Sequence, residues 1–84
     1  MSQQVDQMLK KFLEDDHKRL KDPMFGNRAA ESSLMELCEF LKRNSTKLDD
    51  DVKNRAVDAI RKINLQPYRS YCREHLLDIG ITNI

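Results

Sequence analysis

Apolar residues recur at steps of three and four along most of the chain, the spacing that places side chains on one face of an α-helix. The stretch from Leu34 to Ile63 holds two such patterns, joined by a short polar turn at residues 44–49. The first pattern comprises Ala30, Leu34, Leu37, Cys38 and Leu41, and the second comprises Val52, Ala56, Ala59, Ile60 and Ile63. A short connection predicts antiparallel helices. We therefore expect a central antiparallel helical hairpin with facing apolar stripes.

Two more helical patterns flank this hairpin. The first has an apolar stripe interrupted at Asp16 and His17, and it stops before Pro23 because proline disfavours helical geometry in the preceding residue. Its stripe comprises Val5, Met8, Leu9, Phe12, Leu13 and Leu20, and its charged residues, which alternate in sign, are expected to face solvent. The last helix is expected to begin at Pro67 and to end at Ile79, with Gly80 as its left-handed C-cap.

These patterns predict an all-α fold with a single domain over residues 1–84. The expected helix spans are 5–21, 28–44, 50–63 and 67–79. A chain of 84 residues with two Gly, two Pro and no Trp has few of the turns that an all-β fold requires. The expected architecture is a small bundle of three to four helices.

Charge and hydropathy argue against several classes of protein, without excluding a nucleic-acid binder. Fifteen Lys and Arg stand against fourteen Asp and Glu, and the signs are also balanced within each segment. A nucleic-acid binder usually carries a basic face, which this chain lacks in sequence. No apolar run approaches the ~20 residues of a membrane span, and acidic residues near the start are inconsistent with a signal peptide. We expect a soluble, intracellular protein of the cytoplasm or nucleus.

The residues that could carry chemistry are few. Cys38 and Cys72 are expected to be buried free thiols in a reducing compartment, since a disulfide would need their helices to face each other closely. Cys72 and His75 share a helix face, the minimum for a nucleophile with a base or for half a metal site. No second pair of ligands and no Gly-rich loop accompanies them. We therefore expect no enzyme activity, metal or cofactor.

The second helix has more apolar surface than one neighbour requires. Met35 and Phe40 lie on opposite flanks of its stripe, and Met24 and Phe25 occupy the loop before it. Met and aromatic residues are enriched in the cores of protein interfaces. These four residues are the predicted contact surface of a non-catalytic interaction module. We expect it to form a homodimer and to act as an adaptor or assembly factor.

Two alternatives remain open on the sequence alone. Helices three and four could form a helix-turn-helix-like DNA-binding unit, with Tyr68, Arg69 and Arg73 at the nucleic acid. Such a protein would be a transcription regulator. Alternatively, the chain could be a monomeric inhibitor that docks the apolar Met24 and Phe25 loop on another protein.

Two stretches resemble known modules. Residues 37–63, with Leu37, Phe40, Leu41, Leu48, Arg55 and Ile60, resemble the BESS motif, which implies protein association in nuclear factors. Residues 75–82 are similar to a late stretch of sterile alpha motif domains. The BESS motif's acidic lead-in and first-helix serine are missing, and so is the long terminal helix of the sterile alpha motif. Neither resemblance assigns the chain to a family.

Overall fold

The chain folds as a set of packed α-helices. The computed structural model describes residues 2–22 and 25–82, with the backbone alone for residues 25 and 26. Over these ranges it contains no strand and forms four helices, α1 (Ser2–Lys21), α2 (Phe25–Arg43), α3 (Asp50–Arg61) and α4 (Ser70–Asp78). The predicted small all-α four-helix architecture is confirmed.

The most extensive helix packing joins α1 to α2. α2 also packs against α4, and α3 packs against α1. The expected pairing of the second helix with the third is therefore corrected, because the central pair is α1 with α2. Length gives the physical reason: α1 and α2 have 20 and 19 residues, whereas α3 has 12. Two long helices can bury more apolar surface against each other than a long and a short one.

One hydrophobic core lies between the helices. The predicted apolar stripe of α2 is fully part of it, since all five of its members are buried. From α3, Ala56 and Ile60 are buried, and Leu48 in the preceding turn joins the same cluster. The core is completed by Val5 and Phe12 of α1, by Cys72 and Leu76 of α4, and by Leu65, Tyr68 and Ile81 outside the helices.

The polar turn before α3 forms as expected, with one difference at the cap. Asp49 occupies the N-cap position, and its carbonyl accepts the Lys53 amide at 3.1 Å. Its side chain makes no capping hydrogen bond. Asp50 and Asp51 follow in the first turn, where their negative charges interact favourably with the positive end of the helix dipole.

The start of the last helix differs from the prediction. Pro67 does not open α4, which begins three residues later at Ser70. Tyr68 instead closes a turn by donating its amide to the Leu65 carbonyl at 3.2 Å, and Arg69 is extended with φ −70° and ψ 163°. The reason is that the Tyr68 side chain is buried in the core, with 2 % exposure. This burial keeps residues 67–69 out of the helix, which begins only after them.

The predicted cap at Gly80 is present. Gly80 has φ +91°, a left-handed conformation that favours glycine. The Ile81 amide donates to the Leu76 carbonyl at 3.0 Å, and the Gly80 amide donates to the Leu77 carbonyl at 3.0 Å. This pair of bonds defines a Schellman motif. It turns Ile81 back into the core, where its side chain is fully buried.

Candidate interaction surface

The structure describes the side chains of only two of the four predicted contact residues. Met35 and Phe40 are only half-buried, and both pack against the hydrophobic core. Met24 lies outside the described residues, and so does the side chain of Phe25, whose backbone begins α2. Within the described part of the chain, the core therefore accounts for much of the surface of Met35 and Phe40. The proposed interface at these four residues stays a prediction.

Large apolar side chains are more exposed on α1 than on the flanks of α2. Leu13 is 40 % exposed and Leu20 is 68 % exposed. The two residues are seven positions apart, so they lie on the same side of the helix. Leu9, one turn before Leu13, is half-buried against the core. We call the surface formed by Leu9, Leu13 and His17 with the exposed charged residues Asp6, Lys10, Glu14 and Lys18 the outer face of α1.

This assignment corrects the expected apolar stripe of the first helix. Leu20 points to solvent, whereas its neighbour Arg19 is buried, with 9 % exposure. The sequence pattern predicts the reverse, with Leu20 in the core and Arg19 on the solvated face. The cause is the polar cluster described below, because Arg19 has partners on the inner side of α1 that the stripe alone does not reveal.

A groove continues the outer face of α1 toward α3. It has a volume of about 670 Å³, and its lining includes Leu13 together with Ala59 and Ile63 of α3. Between the same two helices, the Arg55 guanidinium donates to the Asp6 carboxylate at 2.9 Å. The lining of the groove thus combines apolar side chains with polar and charged ones.

The charged residues of the outer face have few partners in their own chain. Asp6 pairs with Arg55. Within residues 2–22 and 25–82, no ion pair involves Lys10, Glu14 or Lys18. Asp6, Lys10, Glu14 and Lys18 form a row in which each member is four positions from the next, so the charges follow one another along the helix surface. Their signs alternate from Asp6 to Lys18.

A polar cluster occupies the opposite, inner side of α1. The Tyr68 hydroxyl donates to Asp16 Oδ1 at 2.5 Å, and Arg19 donates to the same oxygen from Nη2 at 3.0 Å. The Arg19 guanidinium carbon lies 5.3 Å from the centre of the Tyr68 ring. The Phe12 ring packs against the Tyr68 ring, with 5.9 Å between the two ring centroids. Burial, and next the hydrogen bond to Asp16, raise the pKa of Tyr68.

This inner cluster was not predicted, although the sequence contained a signal for it. Asp16 interrupts the apolar stripe of α1 at a position where a core residue is expected. A partly buried carboxylate also needs hydrogen-bond donors, so such an interruption indicates a distant polar contact. The neighbouring Asp15 shows the same behaviour, since it accepts a hydrogen bond from the buried Ser33 of α2.

A second polar cluster attaches α4 to α2. Glu31 is buried, with 4 % exposure. Its carboxylate accepts hydrogen bonds from Asn27 at 3.0 Å and from the Tyr71 hydroxyl, and Arg69 Nε lies 3.6 Å away. The Tyr71 pKa is raised, chiefly because its hydroxyl donates to Glu31. Two hydrogen-bond donors and one ion-pair partner thus compensate one buried charge.

These contacts bear on the residues predicted for nucleic-acid binding. The Tyr68 ring is buried beneath α1, so it is not available to stack on a base. Arg73 donates to the Gln66 carbonyl at 2.9 Å. Arg69 is the most accessible of the three, with a side chain that is 70 % exposed. The structure therefore does not bring Tyr68, Arg69 and Arg73 together on one open surface.

Both thiols are buried, and one of them lies beside a histidine in a surface depression. Cys38 and Cys72 are buried free thiols. Burial raises the pKa of Cys38 to about 12 and that of Cys72 to about 11. His75 lines a shallow depression of about 440 Å³ with Cys38 and Asp78. A thiol with a raised pKa is a poor nucleophile near neutral pH, because the thiolate is the reactive form.

The described ranges also contain no group of three or more His, Cys, Asp or Glu side chains that could hold a metal ion. No helix within them is long and apolar enough to cross a membrane.

No family model, curated protein or solved structure matches the chain. The outer face of α1 is the feature of the described surface with the clearest capacity for binding.

Proposed function

We propose that the chain is a non-catalytic protein–protein interaction module that forms a homodimer and acts as an adaptor or assembly factor. The observation that carries the proposal is the exposure of Leu13 and Leu20 on one side of α1, at 40 % and 68 %. Exposed apolar surface beside polar residues is typical of interaction sites. Covering them would contribute roughly 25 cal/mol for each Å² removed from water.

A second copy of the chain is the proposed occupant of this surface. Small bundles bury a limited core, so association is a common source of additional stability. Two-fold dimers are the commonest symmetric assemblies, and each uses one surface patch twice. The outer face of α1 carries both signs of charge beside its leucines, which suits a patch that must contact itself.

The test is the solution mass, measured by light scattering over a concentration series. The expected mass is about twice that of the 9.9 kDa chain. Leu13→Glu should convert the dimer to a monomer while the helical circular dichroism stays unchanged. Leu77→Glu is the matched control, because Leu77 is 52 % exposed on α4, away from the outer face of α1. A wild-type chain that is monomeric at every concentration would refute the homodimer.

The same experiment distinguishes the outer face of α1 from the contact surface predicted at Met24, Phe25, Met35 and Phe40. Phe40 packs against the core, so Phe40→Glu should lower the free energy of unfolding. Dimer loss with unchanged stability in Phe40→Glu, and a normal dimer in Leu13→Glu, would place the interface on α2 instead.

The two alternative functions give different results. A monomeric inhibitor would keep the mass of a single chain and bind another protein through the same exposed leucines. A DNA-binding protein would bind duplex DNA with an affinity that falls steeply as salt rises. Arg69→Ala combined with Arg73→Ala would remove that binding. The burial of Tyr68 gives the DNA-binding alternative less support than the homodimer.

A further inference from the structure

The charged residues on the outer face of α1 form a row with a simple pattern. Asp6, Lys10, Glu14 and Lys18 are spaced by four, are all exposed and alternate in sign. Lys10, Glu14 and Lys18 take part in no ion pair within the described ranges. A row of this kind is complementary to itself when it is read in the opposite direction. The row therefore specifies both an orientation and a register for a second copy.

We infer that two copies of the chain pair through α1 in antiparallel orientation, with Lys10 of each copy facing Glu14 of the other. This inference rests on the proposed homodimer and names its contact surface. The two-fold axis would pass at the height of Phe12, which also brings Asp6 of each copy opposite Lys18 of the other. Symmetry repeats each of these contacts, so every charge of the row meets its opposite.

Other arrangements of the same two helices bring like charges together. A shift of one row position in either direction places Lys10 against Lys10 or Glu14 against Glu14. A parallel pair in register places every residue of the row against itself. Like charges in contact oppose association and so exclude wrong registers. The alternation of signs thus favours one antiparallel register over its neighbours.

The leucines of the outer face fit the same arrangement. Leu9 and Leu13 form a row with the same spacing of four, directly beside the charged row. Rows of this spacing interdigitate when two helices cross at about −50°, the commonest packing angle. Leu13 of each copy would then cover the aliphatic stem of a lysine from the other copy. Apolar contact supplies affinity, and the charges supply the register.

Lys10 and Glu14 are the residues on which to test the pairing. Asp6 already pairs with Arg55 of its own chain at 2.9 Å, so its contact with Lys18 is shared. Substitutions at Lys10 and Glu14 leave that α1–α3 ion pair intact. Each substitution changes two contacts in a symmetric dimer.

The experiment compares Lys10→Glu, Glu14→Lys and the double variant that exchanges both charges. Each single variant should raise the dissociation constant of the dimer by about tenfold or more, because two attractive contacts become repulsive. An equimolar mixture of the two single variants should form a heterodimer with wild-type affinity. The double variant should also regain wild-type affinity, although its row is reversed at both positions. Sedimentation equilibrium measures the affinities, and circular dichroism verifies the helix content.

Two control variants account for net charge. Lys11→Glu makes the same charge change as Lys10→Glu at an exposed neighbouring position outside the row. Glu36→Lys matches Glu14→Lys on the exposed side of α2. Both should dimerise like the wild type. High salt should weaken the effect of the single variants, because exposed charges are screened.

The outcomes separate this inference from the proposed function. A wild-type dimer whose affinity is as insensitive to Lys10→Glu as to Lys11→Glu would overturn the α1 pairing and leave the homodimer in place. Failure of the mixed variants to associate would overturn it as well. A wild-type chain that stays monomeric would overturn both.

Discussion

The inner and outer sides of α1 belong to one helix and share the same kinds of residue, yet they have different environments. On the inner side, Phe12 is fully buried, and the charged Asp16 and Arg19 bind each other and Tyr68. On the outer side, Leu13 is 40 % exposed, and Lys10 forms no ion pair within the described residues. The inner side has its partners within the chain, whereas the outer side has them only in part.

The difference shows how burial changes the meaning of a charged residue. A carboxylate removed from water is strongly destabilising without donors, so Asp16 depends on Tyr68 and Arg19. An exposed charge is solvated and contributes little to folding, so Lys10 and Glu14 are free to serve association. Substitutions on the two sides should therefore affect different measurements.

The largest expected difference separates two adjacent residues. Phe12→Ala should lower the free energy of unfolding by about 3–5 kcal/mol, because it leaves a cavity in the core. Leu13→Ala should change the same quantity by about 0.5 kcal/mol or less in the monomer, since Leu13 is partly exposed. Urea denaturation at a concentration below that of dimer formation measures both. Equal losses for the two variants would contradict the assignment of inner and outer sides.

A smaller effect is expected at the inner polar cluster. Tyr68→Phe should lower the free energy of unfolding by about 1.5–3 kcal/mol, because it removes a hydrogen bond to a carboxylate. Tyr71→Phe is the matched control. Tyr71 is 39 % exposed, and Glu31 would retain Asn27 and Arg69 as partners. The loss at Tyr71 should therefore be the smaller of the two. A larger loss at Tyr71 would mean that the α2–α4 cluster is the more important.

The smallest effect concerns pH. The raised pKa of Tyr68 means that its phenol stays protonated in the folded chain after the unfolded chain has lost the proton. The contribution of Tyr68 to stability is therefore complete below about pH 10, the pKa of an exposed tyrosine, and decreases as pH rises above it. The difference in unfolding free energy between the wild type and Tyr68→Phe should be constant up to about pH 10 and should shrink from there to about pH 11. A constant difference would indicate that Tyr68 titrates normally.

Parts of this arrangement could be read from individual residues. The stripe of α2 identified its core residues correctly, because one helix face repeats every three to four positions. Gly80 indicated the C-cap of α4 correctly, because the left-handed position after a helix is most often occupied by glycine. Pro67 was misleading, since its suitability for a first helical turn was overridden by the burial of the adjacent Tyr68.

The candidate surface was harder to predict. Met35 and Phe40 lie off the main stripe, which predicts a contact surface there; in the structure they are half-buried against a core that receives side chains from several helices. Periodicity predicts Leu20 in the core because it extends the stripe of the first helix. Its exposure of 68 % depends on Arg19 turning inward, which local periodicity does not encode.

The sequence by itself determined that the chain is helical, where most of the helices lie and which residues of α2 are buried, because these properties follow from local periodicity and helix-end chemistry. Tertiary structure alone decided that α1 is the main neighbour of α2, and which side of α1 is buried against the rest of the chain. Asp16 and Tyr68 are 52 residues apart in the chain and meet only after folding. Their contact draws Arg19 inward, and Leu13 and Leu20 remain on the side that faces solvent.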